Sequence, residues 1–119
     1  MDMIFKMEKT DEEYEREIEE IERMFPDAKF TISIDIEELD DLITDKQSII
    51  IKQVYDCYCY QDYNKKTEYF YIKGEKLTQR YVIEQLIEKG LEIECNHTFL
   101  EGFYKTKGSE CQFELFFGS

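Results

Sequence analysis

The hydrophobic period of this chain changes at Pro26. Upstream, Tyr14, Ile18, Ile21 and Phe25 recur at spacings of four, three and four, a single apolar stripe on a helix. Downstream, in Phe30-Thr31-Ile32-Ser33-Ile34-Asp35-Ile36, the even positions are apolar and the odd ones polar, the alternation of a strand buried on one face. A chain that switches from one period to the other within ten residues must pack a helix against a sheet, so the class is α+β.

The helix is predicted from about Asp11 to Phe25. Thr10 and Glu13 have the spacing of a capping box, and Pro26 stops the helix because proline lacks the amide hydrogen and clashes with the preceding turn. Residues 36–43 are read as a short helix with Leu39, Leu42 and Ile43 inward. Ser48 to Tyr60 and Thr67 to Lys73 are read as two strands of a hairpin around the turn Gln61 to Lys66. A second helix is predicted from about Thr78 to Lys89, with Val82, Ile83, Leu86 and Ile87 inward and Gly90 at its C-terminal cap. Strands Leu91 to Asn96, Phe99 to Lys105 and Cys111 to Phe117 follow, the last two as a hairpin about Lys107-Gly108. The order is an acidic helix, then β-α-β-β-α-β, then β-β. The middle six elements have the order of a ferredoxin-like split β-α-β sheet. An antiparallel sheet with helices on one face, closed by a C-terminal hairpin, is therefore expected. At 119 residues without an internal repeat or a linker, one domain spanning residues 1–119 is expected, with the acidic helix packed on an α+β body.

Charge is the second constraint. The net charge is −13, and it is lopsided: residues 1–45 hold 17 acids and 5 bases, residues 46–119 hold 11 acids and 10 bases. A polyanionic end repels phosphate, which argues against direct binding to nucleic acid or an anionic membrane and for a basic protein partner. Candidate partner-binding residues are Glu12, Glu15, Glu19 and Glu22 on the helix and Glu37, Glu38, Asp40 and Asp41 after the first strand. Closely spaced carboxylates of this kind resemble a phosphate backbone in their field, and a Lys/Arg-lined groove of a nuclease or defence effector would attract them. The competing reading is a solvated face that keeps the chain dispersed. Solubility alone calls for mixed signs, however, and like charges at i,i+4 such as Glu13/Glu17 and Glu15/Glu19 each cost about 0.2–0.5 kcal/mol.

Tyrosine is the third feature. Tyr55, Tyr58, Tyr60, Tyr63, Tyr69 and Tyr71 concentrate on one predicted hairpin. Tyr58, Tyr60, Tyr69 and Tyr71 are candidates for a partner surface or for a sheet cleft that holds a small ligand or nucleotide, and equally for ordinary cross-strand packing. Cys57, Cys59, Cys95 and His97 are candidate metal ligands by residue type. Neither pair, Cys57/Cys59 or Cys95/His97, has the spacing of a zinc knuckle, and buried core cysteine is the commoner role. No phosphate-binding glycine loop, dinucleotide fingerprint, zinc-protease motif or calcium loop is present, so neither a cofactor nor catalysis is expected. Met1 to Thr10 lacks the apolar core of a secretory leader. Apolar runs such as Ile49-Ile50-Ile51 fall far short of the roughly 20 residues of a membrane helix. A cytoplasmic location with reduced thiols is expected. The profile is that of small stoichiometric inhibitors, such as immunity proteins and the phage or plasmid proteins that block defence nucleases.

Overall fold

The computed structural model describes residues 10–55, 66–93 and 99–118. Its class is α+β, with two helices and seven strands among the described residues.

Helix α1 spans Asp11–Met24. Thr10 Oγ1 accepts from Glu13 N at 3.3 Å, as the capping spacing requires. Phe25 closes the helix through its amide to Ile21 O. Only the C-terminal part of the apolar stripe, Ile21 and Phe25, enters the core.

Strand β1 is Thr31–Ile32, shorter than the alternation predicts, although the burial alternates as read: Phe30, Ile32 and Ile34 are buried. The ladder is brief, with Ser33 N donating to Leu100 O at 2.7 Å just past its end. A single 3-10 turn, Ile36–Glu38, replaces the predicted helix over residues 36–43, and strand β2 (Leu42–Thr44) follows. Leu39 is fully buried as expected, but Leu42 is exposed and Ile43 half-buried.

The reason lies in helix α2 (Gln79–Glu88). The amides of its first turn have no partner within the helix. Gln79 N donates to Asp41 O at 3.0 Å and Arg80 N to Leu39 O at 2.8 Å, while Tyr81 N donates to Thr78 Oγ1 at 3.1 Å. An α-helix over residues 36–43 would have engaged the Leu39 carbonyl in its own bond to Ile43 N.

At its other end α2 finishes as Gly90 predicts. Gly90 has φ +87°, its amide donates to Ile87 O, and Leu91 N donates to Leu86 O. Leu86 and Leu91 are both buried, which completes a Schellman cap with its apolar contact.

The main sheet contains β3 (Ser48–Tyr55), β4 (Lys66–Lys73), β6 (Phe99–Lys105) and β7 (Gln112–Gly118) with β1, in the order β1-β6-β7-β3-β4. Strand β5 (Leu77–Thr78) pairs with β2 in a separate two-stranded ribbon. The β3–β4 and β6–β7 pairs are antiparallel, as the two hairpins predict, but β1–β6 and β3–β7 are parallel. The sheet is therefore mixed, and its order differs from that of a split β-α-β sheet. The predicted strand over residues 91–96 contributes, among the described residues, one bridge, Lys29 to Glu92.

The two faces of this sheet differ. One carries Ile32, Ile49, Ile51, Phe70, Ile72, Leu100, Phe113 and Leu115, all buried. Ile21 and Phe25 of α1 and Val82, Ile83 and Leu86 of α2 join these residues in one core cluster. Both helices thus lie on the same face. Among the described residues no element covers the other.

Candidate interaction surfaces

Four of the predicted acids fall on one line of α1. Glu12, Glu15, Glu19 and Glu22 are spaced three, four and three apart, and all are exposed. Glu12 meets Arg16 at 3.8 Å one turn on, with both side chains well solvated, a pair of small energetic weight. Beside this line runs the uncovered part of the apolar stripe, Tyr14 at 50% and Ile18 at 52% exposure. The helix therefore presents apolar side chains flanked by carboxylates, where the spacing alone predicts a stripe buried along its whole length.

Below Ile18 the surface sinks into a groove of about 450 Å³. Ile18, Ile21 and Glu22 form one wall; Phe30, Ile32 and Ile93 lie opposite. Lys29 also lines it. Most of its lining residues are apolar, but more of the surface they expose is polar than apolar; the groove is open to solvent and meets the exposed stripe at Ile18.

The second acidic group stands apart in role. Glu37, Glu38, Asp40 and Asp41 are exposed, but the loop is fixed: Gln79 Nε2 donates to Glu38 O at 3.1 Å, and Arg80 Nε donates to Asp40 Oδ1 at 3.0 Å. Arg80 also reaches Met24 Sδ of α1 at 3.7 Å, so one guanidinium ties the acidic loop to the end of the acidic helix. Glu37 is likewise engaged. Part of the charge predicted for partner binding thus serves internal structure. Arg80 is the residue that sequence reasoning passed over, since a lone basic residue opening a helix carries no pattern.

Of the tyrosines, Tyr69 and Tyr71 are exposed on the uncovered sheet face, and neither lines the groove beneath α1. They have company that the sequence did not single out: Phe99, Tyr104 and Phe116 are exposed on the same face, with Ile50 and Val54 half-buried between. Desolvation, the charge of Glu114 and a hydrogen bond to its carboxylate raise the Tyr104 phenol above the ordinary tyrosine value. Thr106 Oγ1 also donates to Glu114, at 3.1 Å.

Tyr58, Tyr60, Cys57, Cys59, Cys95 and His97 lie outside the described residues. Cys111 is exposed at the entry to β7, where its carbonyl accepts from Ile50 N. Among the described residues no group of three or more His, Cys, Asp or Glu is placed to hold a metal ion, and no helix is long and apolar enough to cross a membrane. No protein-family model, curated protein or solved structure matches this chain.

Proposed function

We propose that this chain is a non-catalytic protein-binding module that docks a basic partner through α1, with the partner's cationic side chains meeting Glu12, Glu15, Glu19 and Glu22. The observation that carries this reading is the exposure of Tyr14 and Ile18 beside that acidic line. A helix that served only to cover the core would bury its stripe along its length. Here half of the stripe is open to solvent, borders a groove at Ile18 and is rimmed by charge. That is the anatomy of a protein interface, with an apolar centre and a polar border. The carboxylates would steer a cationic surface and set specificity; the apolar side chains would supply most of the binding energy.

Partners with a Lys/Arg-lined groove that ordinarily holds nucleic acid, such as a nuclease or a defence effector, fit this charge. The module would then act as a stoichiometric inhibitor that occupies the groove. The test is affinity capture from host lysate with a salt-gradient elution, run in parallel with the triple variant Glu15→Gln, Glu19→Gln, Glu22→Gln. A basic protein retained by the parent chain and released at moderate salt, yet lost from the variant, supports the reading. A partner retained equally by both removes α1 from the interface.

A further inference from the structure

The uncovered sheet face carries a row of four side chains in direct register across four strands. Tyr69 on β4 pairs with Lys52 on β3, Lys52 pairs with Glu114 on β7, and Glu114 pairs with Tyr104 on β6. Read across the sheet, the row runs aromatic, cation, anion, aromatic. A twofold axis parallel to the strands and midway between β3 and β7 would lay β3 of one chain over β7 of another, and β4 over β6. It would set Lys52 over Glu114 of the second copy, Glu114 over its Lys52, and Tyr69 over its Tyr104. The row is its own complement under that one operation, which is the requirement of an isologous interface. We propose that this face is the docking surface for a second copy of the chain, forming a twofold dimer by face-to-face packing of the two sheets.

Charge favours this occupant. The molecule carries −13 overall, and most of its surface repels a copy of itself. The strand positions of this face carry Lys52 and Lys73 against Glu114, and the Glu101 carboxylate lies over Gly118 at its edge, so the face is balanced. A strongly basic partner of the kind proposed for α1 would find no anionic field here. A polyanion would find no excess of cations.

Area points the same way. Tyr69, Tyr71, Phe99, Tyr104 and Phe116 are 52%, 69%, 37%, 47% and 51% exposed. Rings of this kind carry about 150–250 Å² each, so the five leave on the order of 500 Å² uncovered, at the upper end of the largest patch on an ordinary monomer. Two such faces supply roughly 1,000 Å² from the rings alone, close to the lower bound of a specific interface. Sheets stack face to face at a spacing of about 10 Å, which side chains of this size fill. Gly102, opposite Phe116 in register, leaves open space above the sheet. The dimer stands independently of the role proposed for α1, because the helix lies on the other side of the sheet.

The test is sedimentation equilibrium of the full chain over a concentration series, with Lys52→Glu, Glu114→Lys, their equimolar mixture, and Tyr69→Glu. Circular dichroism checks that each variant is folded. The parent chain should dimerise. Lys52→Glu and Glu114→Lys should each weaken self-association by about tenfold or more. Mixing the two should restore a dimer, because each reversed face then meets its complement. Tyr69→Glu, which leaves the hydrogen bonds of Glu114 in place, should weaken it as well. A parent chain that stays monomeric throughout, a dimer that the single reversals leave intact, or a mixture that does not recover would each overturn the proposal.

Discussion

Arg80 Nε stands 3.0 Å from Oδ1 of Asp40, a bond that joins the first turn of α2 to the acidic loop 40 residues earlier. The same guanidinium donates to Met24 Sδ. Arg80 is two-thirds buried at its side chain, while Asp40 is mostly exposed. Solvent therefore screens the ion pair, and the packing of the arginine stem carries the larger share. Arg80→Ala should destabilise the fold by about 1 kcal/mol and Asp40→Asn by less, as read from urea midpoints. Arg80→Ala should also move the position of the 36–41 loop against α1, visible as amide shift changes at Met24 and Leu39.

Gly74 and Tyr81 form a second close pair. A Cβ on Gly74 would stand 2.7 Å from Cε2 of the Tyr81 ring, which is held in place by its hydroxyl donating to Lys73 O. Gly74→Ala should therefore cost about 1–3 kcal/mol, the range of overpacking in a fixed site. Combined with Tyr81→Ala, the loss should be smaller than the sum of the two single losses, because removing the ring removes the clash. Thermal or chemical unfolding of the four variants decides it; strict additivity would refute the contact.

Tyr104 titrates above the ordinary tyrosine range in the folded chain, first because it is desolvated and then because Glu114 favours the protonated phenol. The unfolded chain has the ordinary value, near 10. The folded state thus holds its proton more tightly. This contribution to stability is fully present below pH about 10 and fades as the pH rises through the folded value. A spectrophotometric phenolate titration should show a late-ionising component that Tyr104→Phe deletes and that Glu114→Gln moves back toward the ordinary tyrosine value.

How much of this was legible follows from what each element depends on. The caps at Thr10 and Gly90 were legible because their partners lie within a few residues. So was the burial of Phe30, Ile32 and Ile34, which the alternation alone sets. The 36–43 segment is not legible locally because the Leu39 and Asp41 carbonyls bond to α2, some 40 residues later, and no local pattern records that. The parallel pairing of β3 with β7 is equally non-local.

The acidic line on α1 was legible from spacing, but the exposure of Tyr14 and Ile18 was not, since periodicity shows which residues share a stripe and not how much of the stripe finds a surface. The open sheet face was obscured because β6 and β7 carry aromatics on both sides, as in Phe103-Tyr104 and Phe116-Phe117. Alternation then cannot tell the covered face from the bare one.

The most direct test of the central claim is the salt dependence of binding to a captured basic partner, compared among the parent chain, the triple Glu15→Gln, Glu19→Gln, Glu22→Gln variant and Ile18→Ala. Ile18 is half exposed, so its truncation should change stability by no more than about 0.5 kcal/mol while costing more than about 1 kcal/mol of affinity at every salt concentration. The triple variant should bind weakly at low salt and lose most of the salt dependence, because the steering charges are gone. If both variants bind as the parent does, with the same dependence on salt, α1 is not the docking surface.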